Sequence, residues 1–188
     1  MGDEITKLLN LRADFLAETV RDRKLGFGLF GYFMGAFAFT FFVNFARGCG
    51  IFSFIAQLAM YFVLFAFAGL LFAALTQMFL DLTAKKGNAP GLFALIGMSE
   101  FINVFLISGA LIAAAFGAGP AVMGMLFTAV FIIQIVFLIY LVARAYEMSA
   151  GTVFFSMILT VFPSMMVAVL IVCITLAAFA ALIIGLAR

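Results

Sequence analysis

The feature that most constrains this chain is a succession of long apolar runs separated by short polar breaks. A helix of about 20 apolar residues crosses the roughly 30 Å hydrocarbon layer of a bilayer. By this measure the sequence predicts five membrane spans. Their approximate bounds are 27–46, 52–80, 93–117, 121–143 and 153–186. Because the breaks are short, successive spans are expected to pack as antiparallel neighbours in one all-α polytopic membrane helix bundle.

The overall composition supports the same interpretation. The chain is 68% hydrophobic and 10% charged, whereas soluble domains contain about 45–50% apolar and about 25% charged residues. The lipid bilayer is therefore the first partner that the sequence predicts.

Several classes of chemistry are excluded or have no support in the residues. Histidine is absent, which excludes histidine-ligated haem and histidine-based zinc or copper sites and removes the most frequent general base. The two cysteines, Cys49 and Cys173, are too few for a metal cage. No nucleotide loop, nucleophile elbow, metal motif or long basic arm occurs. We therefore expect no enzyme, no catalytic residue, no cofactor or metal, and no nucleic-acid partner.

Basic residues near the span ends predict the orientation, since loops rich in lysine and arginine stay in the cytoplasm. Eight of them fall on one side of the predicted membrane and two on the other. The first group is Lys7, Arg12, Arg21, Arg23, Lys24, Lys85, Lys86 and Arg144, and the second is Arg47 and Arg188. The N-terminus is thus expected in the cytoplasm and the C-terminus outside, in a plasma (bacterial inner) membrane.

The residues before the first span have a different character. We divide the chain into a cytoplasmic amphipathic segment, 1–24, and a five-helix transmembrane domain, 25–188. Apolar side chains such as Leu8, Phe15 and Leu16 recur at helical spacing within the segment. They predict a helix over residues 4–22 that lies on the membrane surface or on the protein itself. The alternative is a simple lead-in helix to the first span.

Four polar residues inside the spans form a candidate intramembrane cluster. Glu100 and Asn103 share one helix face in the third span, and Gln77 and Asp81 are one turn apart in the second. A charged carboxylate at mid-membrane costs about 2.5–3.5 kcal/mol even on the lenient insertion scale. Because the two spans are expected to be antiparallel, we predict that the two pairs contact each other at a matched depth. Hydrogen-bonding between helices, proton or substrate handling, and contact with a partner protein all remain open.

Small residues recur at four-residue spacing, which allows helix backbones to approach closely. The candidate helix-packing residues are Gly31, Gly35, Gly109, Ala113 and Gly117. The pattern predicts a tight bundle.

Part of the chain resembles the Yip1 family of small membrane proteins. The similar stretch, residues 132–172, reads IIQIVFLIYLVARAYEMSAGTVFFSMILTVFPSMMVAVLIV. Its short loop at Met148–Thr152 and its Pro163 occupy positions typical of the family. The family's usual proline in the third helix is missing, as are the D-L-Y-G-P motif and long N-terminal region of eukaryotic members. The resemblance implies a five-span, non-enzymatic membrane protein; eukaryotic relatives associate with small GTPases and help organise vesicle traffic.

Two functions are compatible with these patterns. The first is a non-enzymatic scaffold or accessory subunit that contacts other integral membrane proteins, in a hetero- or homo-oligomer. The alternative is a small oligomeric transporter or channel that uses Glu100, Asn103 and Gln77. A transporter should gather its intramembrane polar groups in a water-accessible cavity, whereas a subunit should present an apolar face that has no partner in its own chain.

Overall fold

A computed structural model describes residues 6, 8, 10, 12–22, 24–45, 48–82, 88–117, 119–161, 163 and 166. These residues are helical, with turns and short connections and no strand among them. The helices are α1 (Ala13–Arg21), α2 (Leu25–Phe45), α3 (Ile51–Asp81), α4 (Ala89–Ser99), α5 (Val104–Ala115), α6 (Pro120–Ala145) and α7 (Ala150–Val161). A 3₁₀ turn, Glu100–Asn103, joins α4 to α5.

Four of the predicted membrane spans are confirmed. They are Leu25–Phe45, Ile51–Asp81, Ala89–Ala115 and Pro120–Ala145, each long and apolar enough to cross a membrane. Such helices indicate insertion into a bilayer, because their side chains are apolar over a length that crosses the hydrocarbon layer. The predicted fifth span corresponds to α7, whose 12 described residues are too few to cross a bilayer. Nearly all of its remaining part lies outside the described residues.

The N-terminal segment contains α1, which is shorter than the helix predicted over residues 4–22. Residues 4, 5, 7, 9 and 11 of the predicted helix lie outside the described part. Phe15, Leu16 and Thr19 are buried, and α1 packs on α4 and α6. The opposite side carries charges, among them Asp14, whose pKa is lowered by a hydrogen bond from Arg12. The apolar face of α1 therefore covers the protein itself, and a position at the membrane interface stays a prediction.

The centre of the bundle is the packing of α4 against α2. A methyl group on Gly28 would lie 2.6 Å from Ala94 Cα, and one on Gly31 would overlap the Gly97 carbonyl. Helix backbones in membranes approach this closely only where side chains are absent. Almost all of α4 is buried as a result.

Tyr32 of α2 joins three helices. Its ring lies over Gly69 of α3, where any side chain would overlap the hydroxyl group. That hydroxyl donates a hydrogen bond to the Phe93 carbonyl of α4 at 3.2 Å. A phenol needs such an acceptor when it is buried, so Tyr32 orients both α3 and α4 against α2.

Asn88 forms hydrogen bonds between helices at one end of the bundle, called here the α1 end. Its side chain caps α4 by accepting from the Gly91 N–H at 3.4 Å and donates to the Val20 carbonyl of α1 at 2.8 Å. Its backbone N–H and carbonyl pair with the Tyr146 hydroxyl, just after α6. Burial raises the pKa of Tyr146, so the hydroxyl keeps the proton that it donates. Asn88 thus ties together α1, α4 and the end of α6.

Candidate intramembrane polar site

The third span changes its helical geometry at Glu100. The α-helix α4 ends at Ser99, whose hydroxyl donates to the Ile96 carbonyl at 2.7 Å. The Glu100 N–H bonds to the carbonyls of both Gly97 and Met98, and the 3₁₀ turn runs on to Asn103. Short 3₁₀ stretches inside a helix often mark a functional hinge or local strain, which makes this turn a candidate site.

The Glu100 carboxyl lies beside two side-chain amides. Asn103 Nδ2 donates to Glu100 Oε2 at 2.6 Å, and the side chain of Gln134 on α6 is close enough to interact with the carboxyl. Space for the carboxyl exists because Gly35 of α2 has no side chain: a Cβ there would lie 2.8 Å from Glu100 Oε2. The group that would be costly in lipid is therefore enclosed by α2, its own helix and α6.

Helix positions place this cluster near the middle of the membrane. Gly35 lies ten residues after the start of α2, Glu100 eleven after the start of α4, and Gln134 eleven before the end of α6. At 1.5 Å per residue these positions are all about 15–17 Å from the α1 end. This is half of the roughly 30 Å hydrocarbon thickness.

The predicted contact between Glu100 and the second span is wrong. Gln77 Nε2 donates to Asp81 Oδ1 at 2.6 Å, within α3, while Glu100 accepts a hydrogen bond from Asn103 and lies beside Gln134. Gln77 is only four residues, or about 6 Å, from the end of its helix, so it lies about 10 Å shallower than Glu100. Gly97 and Glu100 also share the helix face that packs on α2, which turns the carboxyl away from α3.

Gln134 and Tyr32 are site residues that the sequence interpretation did not assign. A usable signal existed for Gln134, since counting from the ends of two antiparallel spans gives it the same depth as Glu100. Nothing in the sequence pairs Tyr32 with Gly69, because that contact depends on how α2 and α3 are rotated.

The candidate packing residues behave differently from one another. Gly31 and Gly35 stand at close approaches of α2 to the third span, and Gly109 accommodates Leu126 of α6. Ala113 is buried in α5. Gly117 does not have the packing role that the sequence predicts. It has a φ of +63° just beyond the end of α5, and no described atom lies within 4 Å of the place of its Cβ. It ends the helix, a common use of glycine, and packs against none of the described helices.

Other polar contacts join the remaining helices. Asn44 Nδ2 of α2 donates to Gln57 Oε1 of α3 at 2.7 Å, and Thr76 Oγ1 of α3 donates to Thr160 Oγ1 of α7 at 3.2 Å. Interhelical bonds of this kind are common in membranes and are worth about 0.6 kcal/mol on average. They secure α3 at both its ends.

Within the described ranges, no group of three acidic, cysteine or histidine side chains could hold a metal ion. No family model matches this sequence, and comparisons with curated proteins and with solved structures found no match. Membership of the Yip1 family therefore stays a proposal. The basis for a proposed function is the arrangement of the described helices and their side chains.

Proposed function

We propose that the chain is a non-enzymatic integral membrane scaffold or accessory subunit, whose outward α3 face binds an apolar helix of a partner membrane protein. The inner side of α3 is narrow. Its buried residues are Gly69, Ala73, Thr76 and Leu80, a single stripe at helical spacing on a helix of 31 residues. Partly buried residues such as Phe62 and Phe65 flank this stripe, and exposed apolar residues such as Met60, Leu64 and Phe67 face outwards.

The observation that carries this proposal is a shallow, open apolar patch on the outward face of α3. Met60, Leu64 and Phe67 are exposed and recur at i, i+4 and i+7, the spacing at which one helix contacts another. With Ala59 and Val63 they line a depression of about 530 Å³. Lipid tails are as apolar as leucine, so helices associate in membranes through close packing rather than through the hydrophobic effect. An exposed apolar patch with ridges at helical spacing therefore favours a helix of complementary shape.

The polar cluster supports a structural role. Asn103 donates to the Glu100 carboxyl within the chain, Gln134 lies beside it, and the cluster joins α2, the third span and α6. A membrane-organising role such as the Yip1 resemblance implies fits this arrangement. A cytoplasmic N-terminus, an external C-terminus and a location in the plasma (bacterial inner) membrane belong to the same proposal.

A second candidate is the small oligomeric transporter or channel. It is favoured by one observation, the position of Glu100 at a helix break near mid-membrane. Intramembrane carboxyls often mark proton or ion pathways, and transporters place such groups at interrupted helices. Flux measurements in proteoliposomes test it: a transporter loses proton or ion flux in Glu100→Gln, whereas a scaffold shows no flux in either form.

Photo-crosslinking tests the scaffold proposal. A photoreactive residue replaces Leu64 in the apolar patch or, as a control, Ile133 on the outward face of α6; the two positions are 55% and 54% exposed. We expect a discrete protein adduct at Leu64 and lipid adducts alone at Ile133. Lipid adducts alone at both positions would contradict the proposal.

A further inference from the structure

A pocket of about 640 Å³ opens at the α1 end of the bundle. It lies where α1 meets the end of α6 and the start of α7. Among the residues that line it are Ala13, Tyr140, Arg144, Glu147, Met148 and Ala150. Its wall thus combines one cation, one anion and a phenol with apolar side chains.

The two charges of the pocket have no partner in the described part of the chain. Arg144, in the last turn of α6, and Glu147, just beyond it, are both exposed. The described ion pairs at this end involve α1 instead, as in the pair Lys24–Glu18 at 2.8 Å. The pocket therefore presents a cation and an anion that are both available to a ligand.

The backbone at Glu147 provides a second, independent observation. Glu147 has a φ of +51° and is the one non-glycine residue in the described ranges with a positive φ. It stands where α6 ends in a Schellman turn, with the Met148 N–H donating to the Ala143 carbonyl at 2.9 Å. Glycine is the usual residue at this position because a Cβ is strained there. Strained residues concentrate at functional sites, which indicates a use for the carboxylate.

The depth of the pocket matches a lipid headgroup. Tyr140 is half-exposed and lies five residues, or about 7.5 Å, before the end of α6. Tyrosine is typical of this interfacial level. Ile133, Val136 and Tyr140 lie on one exposed face of α6, which provides an apolar track from the pocket into the membrane.

We propose that this pocket binds the phosphoethanolamine headgroup of a membrane phospholipid. Arg144 donates hydrogen bonds to the phosphate, and Glu147 accepts them from the primary ammonium group. The acyl chains lie along the exposed face of α6. Phosphocholine fits less well because its quaternary ammonium has no N–H to donate, and phosphoglycerol has no cation for Glu147.

Native mass spectrometry of the full chain in detergent tests this inference. The probes are phosphatidylethanolamine, phosphatidylcholine and phosphatidylglycerol with identical acyl chains. We expect phosphatidylethanolamine to bind roughly tenfold more tightly than phosphatidylcholine, the range of one charge-assisted hydrogen bond. Glu147→Gln should remove that preference, Arg144→Gln should weaken binding of all three lipids, and Arg21→Gln, an exposed cation of α1, should change nothing.

Glu147→Gly separates a binding role from a structural one. It relieves the backbone strain, so the variant should melt at a higher temperature than the original chain while it loses the preference for phosphatidylethanolamine. Equal binding of the three lipids by the original chain would overturn the inference. So would a preference that survives both Glu147→Gln and Glu147→Gly.

Discussion

The close packing of α2 on α4 leads to a sharp prediction about Gly31. In Gly31→Ala the new methyl carbon would lie 2.6 Å from the Gly97 carbonyl carbon and would overlap the carbonyl oxygen. Ordinary contact begins at 3.4 Å, so the two helices must separate by at least about 0.8 Å. Both colliding groups belong to helix backbones, which cannot move away by changing a rotamer.

The magnitude follows from two opposing effects. Overpacking costs about 1–3 kcal/mol, and the rigid backbone places this site in the upper half of that range. Alanine regains about 0.5–1 kcal/mol over glycine within a helix. We expect a net loss of about 1–2 kcal/mol in the free energy of unfolding. Gly26→Ala is the matched control on the same helix, because no described atom lies within 4 Å of its Cβ position; it should gain about 0.5–1 kcal/mol.

The assay is unfolding in mixed micelles with an increasing fraction of SDS. Near-ultraviolet circular dichroism of the phenylalanine and tyrosine side chains reports the loss of tertiary packing. Gly97→Ala, whose methyl group would overlap the Gly28 carbonyl, should shift the midpoint in the same direction as Gly31→Ala. Equal midpoints for Gly31→Ala and Gly26→Ala would refute the close approach of α2 and the third span.

Three further predictions concern the polar site, the orientation and α1. Asn103→Leu removes a hydrogen bond within the third span and should lower the free energy of unfolding by about 0.5–1.5 kcal/mol, measured by the same SDS titration. The chain should fold as Glu100→Gln but not as Glu100→Lys, measured by the recovery of monodisperse protein from membranes. In intact cells, an impermeant maleimide should label the exposed Cys49 in a Cys173→Ala background. If the maleimide does not label Cys49, the orientation is the opposite of the one proposed. Leu16→Glu should make α1 sensitive to protease, because burying a leucine contributes about 1.5–3 kcal/mol. Ala17→Glu, at an exposed position of the same helix, should not, and equal digestion of the two variants would contradict the packing of α1.

The amino-acid sequence by itself determined where the chain can cross a membrane. A run of about 20 apolar residues has to be helical in lipid because each backbone group needs a partner within the segment. This requirement is local, so the breaks around Cys49, Asn88 and Gly119 were sufficient to predict the first four spans. The sequence also showed which face of α1 is apolar, since charged and apolar residues alternate along it at helical spacing. Phe15 and Leu16 are buried accordingly.

Only the tertiary structure decided how each span is rotated about its own axis. The spans are apolar on all sides, so no stripe of hydrophobic residues indicates which side faces a neighbour. Backbone contact at Gly31 and the ring of Tyr32 over Gly69 set the rotations instead. They turn Glu100 towards Gly35 and Gln134 rather than towards Gln77. A contact of this kind depends on residues that are far apart in the chain, so the sequence pattern could match the depth of Gln134 to that of Glu100 but could not show that the two side chains face each other.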